Sequence, residues 1–110
     1  MSLLLDPQPV PLTQVDGGVI RVGGTRVTLD TVVGAFLAGS TPEEIVLGYP
    51  SLSLEDVYAT VAYYLRHRAD VDAYLAERSA ARAAAQAEAE RRLDPVGIRA
   101  RLLARQAERQ

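Results

Sequence analysis

The sequence has no cysteine, no lysine and only one histidine among its 110 residues. Without cysteine there is no disulfide frame, no thiolate metal site and no thiol nucleophile. The absence of lysine makes all 12 basic residues arginine, a bias that a G+C-rich genome produces as readily as function does. The lone histidine, His67, has Asp70 and Asp72 at helical spacing. One imidazole and two surface carboxylates form too weak a donor set for a transition metal. Ser40, Ser51 and Ser53 fit turns and caps, and the lone histidine would have to serve as base for any serine nucleophile. No apolar run approaches the roughly 20 residues of a membrane span. The start, Met1-Ser2-Leu3-Leu4-Leu5-Asp6-Pro7, lacks the basic region of a signal peptide. The expected compartment is the cytoplasm. The chain reads as non-enzymatic, without catalytic residues, metal or cofactor.

What is present suffices for one modest domain and a tail. Charge divides unevenly: residues 1–65 carry two arginines against seven acids, a net −5, whereas residues 66–110 carry ten against seven, a net +3. Pro7, Pro9 and Pro11 prevent a regular ladder at the N-terminus, so residues 1–9 read as a flexible tail. Leu12–Val15 and Val19–Val22 read as short strands, with Asp16-Gly17-Gly18 supplying the positive φ of a hairpin turn. Gly23-Gly24 breaks the second strand before Thr25-Arg26-Val27. This glycine pair lacks the spacing of a phosphate loop, and Arg26 is most simply a structural arginine, bonding carbonyls or pairing with an acid such as Asp30 or Glu55.

Three helices follow. The first starts at Thr28 and ends at Gly39, with Leu29, Val32, Val33, Phe36 and Leu37 at helical spacing. The second is short, Pro42 to about Leu47, anchored by Ile45 and Val46. The third begins after Ser53, with Leu54, Val57, Val61 and Leu65 as one stripe flanked by Tyr58 and Tyr64. Thr41-Pro42-Glu43-Glu44 and Ser53-Leu54-Glu55-Asp56 each offer a hydroxyl cap with an acid three positions on. The expected core is Val32, Phe36, Ile45, Val57, Val61 and Leu65. Neither glycine nor proline occurs between Pro50 and Pro95, yet a single helix of that length is unusual in so small a chain. A bend is therefore placed near His67, with Val71, Tyr74 and Leu75 gripping the core beyond it. From Ala76 to Arg92 strong helix formers continue without one large apolar residue. Beyond Asp94-Pro95, Ile98, Leu102 and Leu103 form an apolar patch with no partner nearby in sequence. The organisation predicted is a tail (1–9), a β-hairpin plus helix-turn-helix module (10–75) and an Ala/Arg/Glu-rich helical extension (76–110). The fold class is mainly α.

A pair of short capped helices is how helix-turn-helix proteins present a helix to DNA. Against that use stand the connection from Gly48 to Ser53, longer than the usual turn, and the acids Glu55 and Asp56 at the mouth of the third helix.

The order of motifs Gly24-Thr25-Arg26-Val27, Gly39-Ser40-Thr41-Pro42-Glu43-Glu44-Ile45 and Tyr49-Pro50-Ser51-Leu52-Ser53-Leu54-Glu55-Asp56-Val57 resembles the family known as domain of unknown function four-three-three, over about residues 12 to 75. The paired Gly23-Gly24 departs from it, since members usually carry a residue such as arginine before G-T-R. The resemblance implies a homeodomain-like helix-turn-helix of the VapB antitoxin kind, often beside a PIN-like nuclease toxin. In that scheme the module forms a homodimer and binds operator DNA, and the C-terminal extension covers the toxin. Expected DNA contacts are Arg21 and Arg26 from the hairpin and Arg66 and Arg68 at the exit of the third helix. Expected partner contacts are Ile98, Arg99, Arg101, Leu102 and Leu103. The rival reading is a homodimeric protein-interaction module that binds no nucleic acid.

Overall fold

A computed structural model describes residues 3, 5–93, 99 and 101–106. The chain divides into two compact units, Met1–Leu75 and Ala76–Gln110. In the first, strands β1 (Leu12–Gln14) and β2 (Ile20–Val22) pair antiparallel, with Thr13 opposite Arg21. Between them Asp16–Gly18 makes a 3-10 turn in which Gly17 and Gly18 hold φ of 81° and 78°. L side chains rarely adopt that region, so the two glycines fix the hairpin. Arg21 also bridges Thr28. Since it already faces Thr13 in β1, this second bridge lies on the other side of β2 and leads the chain directly into the first helix.

Helix α1 (Leu29–Leu37) is capped by the Thr28 hydroxyl, which accepts from the Thr31 N–H. It closes with two nested bonds, Ser40 N–H to Ala35 O and Gly39 N–H to Phe36 O, and Gly39 sits at φ 104°. That bonding pattern is a Schellman motif and demands a residue tolerant of the left-handed region. Helix α2 (Pro42–Gly48) starts with a full capping box, Thr41 and Glu44 each bonding the other's backbone N–H. Pro42 occupies the first turn, where no amide donor is missed. Helix α3 (Leu54–Arg66) is capped by Ser53 through the Asp56 N–H. It ends at His67, whose φ and ψ of −127° and 41° break the helix, and α4 (Arg68–Arg92) starts immediately after. The bend expected near His67 is there.

Two clusters make the core. Val22, Val32, Ile45, Leu52 and Val57 join β2, α1, α2 and α3. Leu29, Val33, Tyr64 and Val71 join α1, α3 and α4. Phe36 packs against both and meets Tyr64 edge-on at 6.4 Å between ring centres. The expected stripe on α3 is rotated. Its buried residues are Val57, Thr60, Val61 and Tyr64, whereas Leu54 and Leu65 are 37% and 45% exposed. Leu65 therefore leaves the expected core and Tyr64 enters it. The physical reason is that Thr60 returns its hydroxyl to the Asp56 carbonyl at 2.7 Å. Satisfied in that way, a threonine is buried at little cost, and the inward face can centre on it. Leu52 is the other revision: it lies in the connection between α2 and α3, yet only 3% of it is exposed.

Two phenols fasten α4 to this frame. The Tyr74 hydroxyl accepts from the Ile20 N–H at 2.9 Å and reaches Asp30 at 3.4 Å. The Tyr64 hydroxyl donates to Asp72 at 3.0 Å. In the second unit α4 continues to Arg92 with residues 79–92 all exposed. Glu88 pairs with Arg91 at 2.9 Å and Arg92 at 3.3 Å. The acid precedes the arginines, and both arginines sit at the negative end of the helix dipole, two modest stabilising effects. Residues 101–106 are also helical.

The rotated stripe is open to test by denaturant unfolding. Val57→Ala, at a fully buried position, is expected to cost about 1–3 kcal/mol, and Leu65→Ala less than about 0.5 kcal/mol. Equal losses from the two would restore the stripe centred on Leu65.

Candidate functional site

The four arginines expected to meet DNA are all exposed, but Arg21 lies in β2, Arg26 in the turn after it, Arg66 at the end of α3 and Arg68 at the start of α4. Arg26 belongs to the turn after β2, and that turn is packed on the first turn of α3. A Cβ built on Gly23 would lie 2.5 Å from the Asp56 carboxylate, and Gly23 holds φ of 61°. Gly23 is thus required twice, for its backbone conformation and for the room it leaves. Thr25 secures the same turn through its hydroxyl, donating to Val22 O at 2.7 Å and accepting from Val27 N–H at 3.1 Å. Arg66 lies ten residues beyond Asp56 on α3, about 15 Å along the axis at 1.5 Å per residue. Arg68 follows across the corner, its guanidinium 6.0 Å from the centre of the Tyr64 ring. Asp30 meets Tyr74, and Arg26 is exposed.

Between those two ends, the surface that a recognition helix would offer is neither basic nor empty. Tyr58 donates its hydroxyl to Glu43, tying α3 to α2. This bond holds the Glu43 carboxyl below its usual range, helped by the residue's own backbone N–H, and the same bond pushes the Tyr58 phenol up. Leu54 lies one turn before Tyr58, and Leu47 one turn after Glu43. They are 37% and 81% exposed. Acids and leucines thus share the face. Farther along α3, Gln8, Pro9 and Val10 of the N-terminal tail share a groove of about 280 Å³ with Ala62 and Arg66.

His67 stacks on Tyr63, ring centres 4.4 Å apart, and Asp72 is engaged by Tyr64. Among the described residues no group of three or more histidine, cysteine, aspartate or glutamate side chains is placed to hold a metal ion. Nor is any helix among them long and apolar enough to cross a membrane.

Of the residues expected to contact a protein partner, Ile98 lies outside the described residues. Arg99, Arg101, Leu102 and Leu103 are exposed and helical. Leu93, Leu102, Arg92, Arg101 and Arg105 line a shallow cup of about 320 Å³, two leucines ringed by three arginines. Leu93 and Arg105 were not singled out in the sequence. The signal was available, since Leu93 ends the apolar-poor stretch and Arg105 lies one turn beyond Arg101.

Residues 13–64 match the model of the family described as Protein of unknown function (DUF433). That segment belongs to this family. No curated protein and no solved structure matches the chain. The DUF433 segment runs from β1 into the last turn of α3, and so takes in the hairpin, α1, α2 and the acid-bearing face. Arg66, Arg68, all of α4 and the arginine-ringed cup lie beyond it.

The Glu43–Tyr58 bond has a pH signature. Glu43 is lowered in the folded state, so its contribution is present above the ordinary carboxylate range and lost as pH falls through the folded value. Tyr58 is raised, so its contribution is present below the ordinary phenol range and lost as pH climbs through the folded value. Both windows coincide between about pH 5 and pH 9. Thermal melts should show Tyr58→Phe below the parent protein in that interval, with the gap closing toward pH 3. A gap that ignores pH would assign Tyr58 a packing role alone.

Proposed function

We propose that this chain is an antitoxin-like adaptor: a dimerising helix-turn-helix module that binds operator DNA, carrying a C-terminal extension that docks on and neutralises a PIN-like nuclease. The observation that carries the reading is the second unit. Its helix is exposed from residue 79 to residue 92, and Leu93, Leu102 and Leu103 are 58–66% exposed. A helix with no core of its own draws its stability from whatever it packs against. Arginines around exposed leucines suit a groove with an acidic rim, and the metal-binding carboxylates of a nuclease would provide one. Arg99 and Arg101 are the residues assigned to that contact.

On the DNA side, α2 and α3 form the helix pair, and Arg21, Arg26, Arg66 and Arg68 supply phosphate contacts from its two ends. Phosphate contacts position a protein on the duplex without reading sequence. A second reading, a homodimeric interaction module without nucleic acid, draws support from the acid-and-leucine face of α2 and α3. Glu43 and Glu55 there would repel phosphate where base contacts are usually made.

Two measurements separate these readings. Operator binding predicts a gel shift on the protein's own promoter roughly 10³-fold tighter than on random duplex at the same salt. The shift should weaken steeply as salt rises and weaken further in Arg66→Ala/Arg68→Ala. Equal affinity for both duplexes would leave the protein-only module. For the extension, removing residues 93–110 should abolish co-purification with the product of the adjacent reading frame while leaving the melting temperature of the module unchanged. Undiminished co-purification of the truncated chain would remove the extension from the contact.

A further inference from the structure

The molecule carries two exposed surfaces of opposite chemistry, one in each compact unit. On the module, Glu43 and Leu47 lie one turn apart on α2, Leu54 and Tyr58 one turn apart on α3, and the Tyr58–Glu43 bond makes them one face. Leu47 is the most protruding apolar side chain on it, 81% exposed; Glu44 on α2 and Glu55 on α3 are exposed as well. On the extension, Leu93 and Leu102 line a cup together with Arg92, Arg101 and Arg105. One surface is a leucine knob among acids. The other is a hollow lined by leucines and arginines. Net charges of −5 for residues 1–65 and +3 for residues 66–110 have the same sense as these local patterns.

From this complementarity we propose that the arginine-ringed extension of one copy docks on the acid-and-leucine face of α2 and α3 in a second copy, with Leu47 entering the cup. The proposal rests on the second reading above, the homodimeric module without nucleic acid, and names its surface. Apolar burial around Leu47, Leu93 and Leu102 holds the contact, and the flanking charges set register and partner choice, as charge does at interfaces generally. Exposed charges are screened by salt, so association tightens at low ionic strength. A contact between unlike surfaces is heterologous: two copies can exchange extensions reciprocally, or successive copies can chain head to tail. The same contact would hide the face of α3 that a recognition helix needs, so self-association and DNA reading through that face compete.

Sedimentation equilibrium on the full chain tests this with charge reversal on each side. Glu55→Arg sets a cation on the module face against a basic extension and leaves the Glu43–Tyr58 bond intact. Arg101→Glu/Arg105→Glu makes the extension acidic against an acidic face. Each variant alone should self-associate at least about tenfold more weakly than the parent, a difference of about 1.4 kcal/mol. Mixed in equal amounts, the two variants should associate again, because each then meets a partner of opposite sign. Leu47→Arg, at a site whose exposure makes it harmless to folding, should weaken association as strongly without changing the circular dichroism melt. A dimer unaffected by all three variants would overturn the proposed surface while leaving homodimerisation standing. A chain that stays monomeric at every concentration and salt would overturn both. Loss in the single variants without recovery on mixing would likewise overturn the docking proposed.

Discussion

The first compact unit is organised by one demand: α1 has apolar residues on two adjoining faces, and both must be covered. Val32 and Val33 are neighbours in sequence, so they point about 100° apart on a helix of 3.6 residues per turn. Both are fully buried, but in different clusters. Covering Val32 takes the hairpin, α2, the connection at Leu52 and the start of α3. Covering Val33 takes the end of α3 and the start of α4. One continuous α3–α4 helix could not turn back over Leu29 and Val33, and the break at His67 lets Val71 do so. Phe36, touching both clusters, links the two halves.

That division explains what sequence periodicity revealed and what it hid. Hairpin, caps and helix ends were legible because each depends on local chemistry: Asp16-Gly17-Gly18, Thr28, Thr41 with Glu44, Gly39, Ser53. The α3 stripe was misread because hydropathy ranks threonine and tyrosine below leucine. It has no means of knowing that Thr60 returns its hydroxyl to the backbone or that Tyr64 finds Asp72. Leu52 was invisible for a related reason. It stands between Pro50 and Ser53, where turn signals dominate, and only tertiary packing shows that the connection is an anchor. The Tyr74–Ile20 bond spans 54 positions, far beyond any sequence window.

The candidate site divides along the same line. Arginine content and the stranded leucines beyond Asp94 were plain from composition. The cup that groups Leu93 with Arg105 was not, since it needs two helical segments. The four arginines assigned to DNA illustrate the reverse. They are close in pairs along the chain, but Arg21 and Arg26 belong to β2 and the turn after it, whereas Arg66 and Arg68 flank the corner between α3 and α4.

The acids of the family motif are mostly engaged in holding the fold. Glu44 completes the capping box of α2. Glu43 receives Tyr58. Asp56 rests against Gly23, and its N–H takes the Ser53 cap. A pattern of this kind reports how α2 and α3 are built and joined, and says little about what they contact, because each such acid has a structural use that any function would share. The departure at Gly23-Gly24 makes the same point from the other side. A long side chain at position 23 would have to displace Asp56, so this chain combines a close β2–α3 approach with a glycine and forgoes a cation there. All but two of the arginines lie after residue 64, where the family match ends. The module is a shared frame, and the arginine-bearing extension is where function can be individual.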